Sequence, residues 1–502
     1  MPTVGATSVS QTRSQWTSTD RMVLLALVLV AMARSIAIIA SPLELGVDEA
    51  QYCLWSTEFD FGYYTKPPLT SWIIGASHAV FGHHVWAVRL PAPWIHLATA
   101  LVLWRAGFWL AGESAGRWAA LLWASLPAVA VGSFVMSTDT PMLLFWSLGL
   151  LALVGAVSGR LGSRRAAMLA GAAFGAAMLA KYAAIFGAAG LVLYMTAARL
   201  RGRTPLSTAD LYMFALSMLL IASPNILWNL ANDLTTVRHL GDNANLDQQS
   251  YAPLNSLGFL AAQFATAGPV SFALMFGILG AKRDDDAGIL LLCLSAPVIA
   301  VIMLQAFLSE ANANWALAAM PALVLWLSRW LAAGRSGLGR AGLGRSGLGR
   351  AALAVNAGIC LVLAAVTIAG SLGPLTPQSD PLRRLRGWQQ LADDAAAALA
   401  AHGAQTVVAD RRAGAALLSW HFHEGEVEVL IHDADGIPSN HFETNAAWTP
   451  HPGRRLVTLS GSAEPPAMDG VIWSAAAPPV SDTQISRRRS RMLYLHSGVE
   501  TD

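Results

Sequence analysis

Long runs of apolar residues recur through most of the chain. Of its 502 residues, 54% are hydrophobic and only 13% are charged, whereas soluble domains carry about 25% charged residues. A run of about 18 or more apolar residues can cross a bilayer as a helix, and helices satisfy their own backbone hydrogen bonds there. The sequence therefore predicts a polytopic α-helical membrane protein.

The apolar runs divide the chain into three parts. Residues 1–20 are polar and are predicted to form a cytoplasmic tail, and residues 21–372 form a transmembrane domain with about eleven spans. Residues 373–502 are more polar and alternate helix-like with strand-like stretches, which predicts a small α/β domain. The eleven predicted spans lie at about 21–40, 86–108, 115–134, 141–158, 165–180, 183–198, 210–228, 256–280, 287–307, 315–333 and 351–372.

Most of the basic residues between these runs lie in alternate loops. They cluster at 160–165, 199–203, 282–283 and 335–350, and the positive-inside rule places such loops in the cytoplasm. The opposite loops are rich in Asp, Asn, Gln and aromatic residues. The same span count therefore puts every loop that carries candidate catalytic or binding residues, and the C-terminal domain, on the extracytoplasmic face of the membrane.

Composition and spacing exclude several classes of function. The net charge of +2 argues against a nucleic-acid partner, and three distant cysteines make neither a disulfide framework nor a metal cluster. The glycine-rich repeat at 335–350 matches the letters of a dinucleotide-binding fingerprint, but no strand precedes it, so a flexible basic loop is the favoured interpretation. The spacing of His421, His423, Glu424 and His432 fits no standard metal site, and a polar strand edge is the favoured interpretation.

The first outer loop, residues 41–72, carries the most unusual combination of side chains. Asp48 and Glu49 lie beside the membrane boundary, where a carboxylate can act as a general base toward a hydroxyl or can simply be solvated. Lys66 precedes two prolines that keep it out of a helix. A lysine held this way can bind a phosphate and stabilise the charge of a leaving group, or be an exposed turn residue. Tyr63 and Tyr64 precede it.

Further polar side chains are predicted at the same face. Charged groups at the ends of spans cost several kcal/mol unless they are paired or functional, so cations gathered there suit an anionic lipid headgroup. Snorkelling to the interface is the alternative for Arg34 and Arg89. We assign Arg34, Arg89 and Lys181 to the phosphate, Asp139 to the catalytic group, and Arg238, His239, Glu310 and Asn314 to the lining of the cavity.

Five segments make the chain recognisable. They are DEAQYCLWSTEFDFGYYTKPPLTSW (48–72), STDTPMLLFW (137–146), AMLAKYAAIF (177–186), SPNILWNLANDLTTVRHLGDN (223–243) and ANANWALAAMPAL (311–323). In these segments the chain resembles bacterial polyprenyl-phosphate-sugar-dependent glycosyltransferases of the protein O-mannosyltransferase and lipid A aminoarabinose transferase superfamily, and the resemblance implies a location in a bacterial inner membrane.

The resemblance implies a GT-C fold with an extracytoplasmic active site. It implies that Asp48 is the catalytic base or positions the acceptor, that Lys66 binds the lipid phosphate, and that Asp139 is the acid of the second outer loop. Thr65 stands where the aminoarabinose transferases have an acid, which leaves open whether the donor sugar carries an amino group. The superfamily also leaves open whether a divalent metal is needed.

Together these observations predict an integral membrane glycosyltransferase. It would move a sugar, with inversion, from a polyprenyl-phosphate donor to lipid A, lipopolysaccharide or another envelope glycan, acting as a monomer among membrane lipids. Protein O-glycosylation is the alternative within enzymes. A transporter or flippase is the alternative of another class, but transporters place their polar residues near the bilayer midplane rather than at one face.

Overall fold

The computed structural model describes residues 16–238, 251–278, 285–334, 344–373, 380–436, 438–474, 479–481 and 493–501. Helices occupy nearly all of the first part of the chain. In order they are α1 (Ser18–Ile39), α2 (Val47–Thr57), α3 (Leu69–Phe81), α4 (Val85–Arg89), α5 (Pro91–Ser125), α6 (Pro127–Phe134), α7 (Asp139–Val157), α8 (Ser163–Met178), α9 (Ile185–Arg199), α10 (Thr208–Ala231), α11 (Pro253–Ala267), α12 (Pro269–Gly277), α13 (Asp286–Cys293), α14 (Ala296–Leu308), α15 (Met320–Ala332) and α16 (Arg345–Ala369).

These helices follow the predicted apolar runs, and the polytopic helical architecture is confirmed. Within the described ranges, eight helices are long and apolar enough to cross a membrane, or up to nine if the bent pair α11 and α12, which meet at 114°, is one span. The predicted run at 165–180 corresponds to α8, which at 16 residues is shorter than those eight. The exact number of crossings therefore stays a prediction.

Helix α5 is two antiparallel helices joined by a tight turn. Ala111 and Gly112 leave the helical conformation, and Gly112 has a φ of +80°, which glycine adopts without strain. The chain then packs back on itself so closely that a Cβ on Gly107 would lie 2.8 Å from the carbonyl oxygen of Ala115. This turn separates the predicted runs at 86–108 and 115–134.

Glycines also bring α8 and α10 into backbone contact. A Cβ on Gly171 would lie 2.1 Å from the carbonyl oxygen of Phe214, and one on Gly175 would lie 2.5 Å from that of Met218. Small residues allow such close helix packing inside membranes. Because α8 ends just before Lys181 and α10 continues to Asn225, this contact helps to place both at the same end of the bundle.

The C-terminal part is a small α/β domain, as predicted. Its six strands form one sheet in the order β2-β1-β3-β6-β4, with β5 paired to β6; β1 is parallel to β2 and β3, and β6 is antiparallel to β3. The elements are α17 (Trp388–His402), β1 (Thr406–Ala409), α18 (Arg412–His421), β2 (Glu428–Ile431), α19 (His441–Asn445), β3 (Arg455–Ser460), β4 (Val471–Trp473), β5 (Pro479–Ser481) and β6 (Leu493–Glu500).

The α/β domain docks on the first outer loop. The Glu44 carboxylate accepts hydrogen bonds from the backbone N–H groups of Trp388 (2.6 Å) and Gln389 (3.3 Å), which caps the positive end of α17. The ring of His83 stacks on Trp420, with centroids 3.6 Å apart. The domain therefore lies at the same end of the bundle as the loop.

The histidines considered for a metal have other neighbours. The ring of His423 stacks on His83 at a centroid distance of 3.2 Å, and His432 packs edge-on against Trp448. Among the described residues, no group of three or more His, Cys, Asp or Glu side chains is arranged to hold a metal ion. The histidines belong instead to the docking surface and the sheet edge.

Candidate active site

Helix α2 separates the two acids of the first outer loop. Asp48 and Glu49 fall about 100° apart around the helix axis, because an α-helix has 3.6 residues per turn. Asp48, Gln51 and Tyr52 share one face, at positions i, i+3 and i+4. The side chain of Asp48 is 61% exposed, whereas that of Glu49 is 2% exposed. The adjacent acids therefore occupy opposite environments.

Glu49 is held in a buried ion pair with Arg89. The guanidinium of Arg89 donates from Nε to Oε1 (2.9 Å) and from Nη2 to Oε2 (2.8 Å) of Glu49. The carboxylate also accepts from the backbone N–H groups of Gly46 (3.0 Å) and Met136 (3.0 Å). Both side chains are satisfied by the protein itself, so we replace their predicted roles in catalysis and phosphate binding with a structural one. Arg89 does not snorkel to the interface either.

Asp48 is paired with a residue of the C-terminal domain. Nη2 of Arg412 donates to Oδ1 of Asp48 at 2.5 Å, and Nε of the same guanidinium donates to Oε1 of Gln51 at 2.7 Å. Below this pair, burial and then the charge of Asp48 raise the pKa of Tyr52 well above 10, so the phenol stays protonated. Asp48 is thus exposed but oriented.

Lys66 lies in a turn that is fixed from both sides. Its carbonyl accepts from the N–H of Tyr63 (3.1 Å), and beyond Pro67 and Pro68 the N–H of Leu69 donates to the carbonyl of Leu179 (2.9 Å). The pKa of the Lys66 ammonium is lowered, mainly by burial. The charges of Asp48 and Asp139 oppose this shift, and those of Lys181 and Arg412 add to it. In the described part of the chain, this ammonium has no hydrogen-bond or ion-pair partner.

Three outer loops meet at Asp139. Lys181 Nζ donates to its Oδ1 at 2.8 Å and Asn314 Nδ2 donates to its Oδ2 at 2.9 Å. The carboxylate begins α7, where a negative charge is favourable next to the helix N-terminus. Lys181 lies 42 positions after Asp139 in the sequence, and Asn314 lies 175 positions after it. All three were predicted as site residues from the sequence, and the structure brings them together beside the Lys66 turn.

The two tyrosines before Lys66 differ in their surroundings. Tyr63 is buried, stacks on Trp55 at 4.9 Å and donates its hydroxyl to the carbonyl oxygens of Trp55 (2.7 Å) and Glu58 (2.8 Å). It therefore anchors the loop and does not line a cavity. Tyr64 is half-buried and its hydroxyl reaches the carbonyl of Pro438 at 3.3 Å, across to the C-terminal domain.

Three of the other predicted site residues make no described hydrogen bond or ion pair with this cluster. Arg34 is buried within the bundle and donates to the Ala124 carbonyl (2.7 Å) and the Ser133 hydroxyl (3.2 Å), so it neither snorkels nor contacts the cluster. Arg238 and Glu310 are exposed. His239 lies outside the described residues.

Sequence reasoning missed the residues that attach the loop to α10. Trp228 Nε1 donates to the Asp60 carboxylate (2.6 Å) and Asn225 Nδ2 donates to the Phe61 carbonyl (2.8 Å). Tyr182, next to Lys181, donates its hydroxyl to Asn225 (2.6 Å). Asn225 and Trp228 fall in one of the recognised segments, which could have drawn attention to them. Nothing in the sequence indicated Arg412.

The charges of the cluster do not balance. Lys66, Lys181 and Arg412 supply three positive charges, and Asp48 and Asp139 supply two negative ones. Each described acid here already has a cationic partner, so the set does not suit a divalent metal ion, which prefers several free oxygen ligands. The site is suited instead to an anion placed against Lys66 and to a base at Asp48.

Known proteins resemble this chain in sequence. The model of the dolichyl-phosphate-mannose-protein mannosyltransferase family matches residues 65–228. Lipid A galacturonosyltransferase RgtD of Rhizobium johnstonii is 33% identical over 414 residues, which is 80% of this chain and 82% of the relative.

Solved structures share the fold at low sequence identity. ArnT from Cupriavidus metallidurans bound to undecaprenyl phosphate superposes with a TM-score of 0.64 at 13% identity, over 95% of this chain and 98% of ArnT. The oligosaccharyltransferase AglB from Archaeoglobus fulgidus, in complex with an inhibitory peptide and a dolichol-phosphate, gives 0.52 at 12% identity, over 88% of this chain and 69% of AglB. The first likeness extends over both the helical part and the C-terminal domain.

Proposed function

The chain belongs to the GT-C superfamily of membrane glycosyltransferases, together with lipid A galacturonosyltransferase RgtD, and from this premise we propose its donor, acceptor and mechanism. The donor is a sugar linked to polyprenyl phosphate, and the acceptor is a hydroxyl of lipid A or another envelope glycan. The observation that carries the proposal is the ammonium of Lys66, on a fixed turn and without a partner among the described residues, beside the paired carboxylates of Asp48 and Asp139.

The donor fits the charge of the site. A sugar–phosphate–polyprenyl diester carries one negative charge, which matches the single surplus positive charge of the described cluster. Charge-assisted hydrogen bonds from an ammonium to phosphate oxygens are among the stronger polar contacts in proteins. Lys66 is the cation available to make them, because Lys181 and Arg412 are already paired.

The reaction is a single displacement at the anomeric carbon. The acceptor oxygen forms the new bond to that carbon while Asp48 takes the hydroxyl proton. The bond from the anomeric carbon to the phosphate oxygen breaks, and polyprenyl phosphate leaves with the electron pair. Lys66 stabilises the second negative charge that develops on this phosphate. Attack opposite the leaving group gives inversion.

The sugar is a hexuronic acid or an uncharged hexose rather than an amino sugar. The relative RgtD is a galacturonosyltransferase by name. With the donor phosphate bound, the charges of the described cluster balance. Its two acids are already paired with Lys181 and Arg412, so an ammonium on the sugar would meet these cations without a free carboxylate to offset them, and like charges at close range are unfavourable. Thr65 supplies no carboxylate either, so the site favours a donor whose sugar carries no positive charge.

The site is proposed to face the periplasm from a bacterial inner membrane. The arginine-rich loops lie on the other side in the predicted topology. The site loops and the C-terminal domain lie at one end of the helical bundle, so a single orientation exposes them all. Polyprenyl-phosphate sugars and lipid A would then meet at this end.

The experiment uses the purified full chain in nanodiscs. Undecaprenyl-phosphate galacturonic acid and undecaprenyl-phosphate aminoarabinose are supplied separately with lipid A, and the masses of the products are measured by mass spectrometry. We expect the mass of lipid A to rise by one hexuronic acid residue with the first donor only. Transfer of aminoarabinose would overturn the sugar assignment. Transfer to an added envelope protein instead of lipid A would replace the acceptor.

A further inference from the structure

The start of α18 brings a cation from the C-terminal domain to the catalytic loop. Strand β1 ends at Ala409, and Arg412 begins the next helix after a two-residue turn. The turn is fixed because the Asp410 carboxylate accepts from the N–H of Gly461 at 3.1 Å, beyond the end of the neighbouring strand β3. The carboxyl edge of the parallel strands therefore faces the first outer loop.

Two hydrogen bonds fix the plane of the Arg412 guanidinium. Nε donates to Oε1 of Gln51 and Nη2 donates to Oδ1 of Asp48. Gln51 is completely buried, so packing encloses its amide one helical turn beyond Asp48. A planar guanidinium held at one end can present its other end in a defined direction, which an ammonium cannot do.

This arrangement distinguishes the two oxygens of Asp48. Oδ1 is occupied by Arg412, whereas Oδ2 has no partner among the described residues. A carboxylate that is 61% exposed would otherwise rotate freely, and a base must stay within hydrogen-bond reach of the proton that it removes. The pairing therefore leaves one oriented oxygen for the acceptor.

On the basis of the proposed function, we propose that Arg412 is a positioning residue that presents Oδ2 of Asp48 to the acceptor hydroxyl. The C-terminal domain then takes part in catalysis, because transfer depends on the residue that it inserts at the base. Arg412 itself touches neither the donor nor the transferred proton.

Arg412 is not what holds the domain in place. The cap of α17 by Glu44, the stack of His83 on Trp420 and the hydrogen bond from Tyr64 to Pro438 all join the domain to the first part of the chain. An exposed ion pair adds little to stability. Loss of Arg412 should therefore disturb the orientation of Asp48 while the domain stays docked.

The first test measures transfer with undecaprenyl-phosphate galacturonic acid and lipid A. We expect R412Q to lower kcat about 10- to 100-fold, while the KM for the donor and the KM for lipid A each change less than about threefold. R412K should recover part of kcat. Q51L should have a smaller effect of the same kind, and R412Q/Q51L should lose no more than R412Q. R411Q is the matched control and should leave kcat unchanged, because among the described residues the Arg411 guanidinium pairs with its neighbour Asp410 alone, at 3.6 Å.

The second test does not depend on the sugar. Carbodiimide labelling of Asp48 is followed by mass spectrometry in the substrate-free full chain, with buried Asp139 as the internal reference. We expect labelling of Asp48 to be several-fold faster in R412Q than in R411Q. Equal rates, an unchanged kcat, or a raised KM at constant kcat would each overturn the positioning role. Activity that survives in D48N would instead overturn the proposed base.

Discussion

The two sides of helix α2 carry the same chemical group, a carboxylate, and burial and partners give it a different role on each side. On the inner side, Glu49 and Arg89 form a pair that is sealed from solvent and saturated with hydrogen bonds. On the outer side, Asp48 and Arg412 form a pair that is open to solvent and leaves one carboxylate oxygen without a described partner. Only the outer carboxylate is accessible to a substrate, whereas the inner one fixes the helix that carries it.

Removing the outer acid gives the largest expected effect on activity. D48N should lower transfer about 10²- to 10⁴-fold, because the amide cannot accept the hydroxyl proton. The protein should fold normally, since the Asp48 side chain is exposed. The measurement is turnover in nanodiscs together with thermal unfolding. E58Q is the matched control, an exposed acid one residue beyond α2, and a D48N protein with near-normal turnover would refute the contrast between the two sides.

Removing the inner acid should act on stability. E49Q leaves the buried charge of Arg89 without its counter-charge, which typically costs about 3–5 kcal/mol. We expect a sharp loss of folded protein after extraction and a lower melting temperature, while the molecules that remain folded keep most of their turnover. If E49Q were stable but inactive, the structural assignment of this pair would be wrong.

Removing Lys66, the cation without a described partner, should act on donor binding. K66A should weaken the binding of undecaprenyl phosphate by roughly 30-fold, because one charge-assisted hydrogen bond contributes about 2 kcal/mol. The change is read by titration of the lipid into the protein in nanodiscs. K66R, which keeps the charge, should recover part of the affinity. Equal affinity of K66A and the unaltered protein would exclude Lys66 from the phosphate site.

Acidification should loosen the docking of the C-terminal domain, with the smallest effect of the four. Burial, and then the charge of His423, lowers the pKa of His83 to about 3, while burial, and then Arg412, lowers that of His441 to about 4. Both values lie below the ordinary 6.5. These histidines are therefore neutral when docked, and the unfolded chain binds more protons as the pH falls below 6.5.

The stabilisation by these histidines is complete above pH 6.5 and is lost as the pH falls toward 4. At pH 5.5 the loss is about 1 kcal/mol for each histidine. Limited proteolysis of the C-terminal domain at pH 7.5 and 5.5 measures it. H83F keeps a ring against Trp420 but cannot take up a proton, so it should weaken the pH dependence. An identical dependence in H83F would remove His83 from the explanation.

Much of the architecture could be predicted because it follows from local properties of the sequence. The apolar runs predict helices wherever they occur, since a helix satisfies its backbone without partners. The turn at Lys66 follows from the two prolines after it. The meeting of Asp139, Lys181 and Asn314 was predicted less directly, from loops that topology assigns to one face.

The division between Asp48 and Glu49 could not be predicted in this way. Both are acids in the same loop, and the assignment of each depends on a partner distant in the chain. Arg89 lies 40 positions after Glu49 and Arg412 lies 364 positions after Asp48. Arg34 and Arg89 were assigned to the phosphate for the same reason, because their charge was visible in the sequence while their partners were not.

The sequence by itself determined that this is a membrane protein, which segments are helical, and that acids, a lysine and aromatic residues gather at one face. Periodicity, hydropathy and proline stereochemistry act over a few residues, so they can be read directly. The tertiary structure alone decided which acid is buried, which cation has no partner among the described residues, and that the C-terminal domain supplies Arg412. These outcomes depend on contacts between distant segments, which are set by the packing of the whole chain.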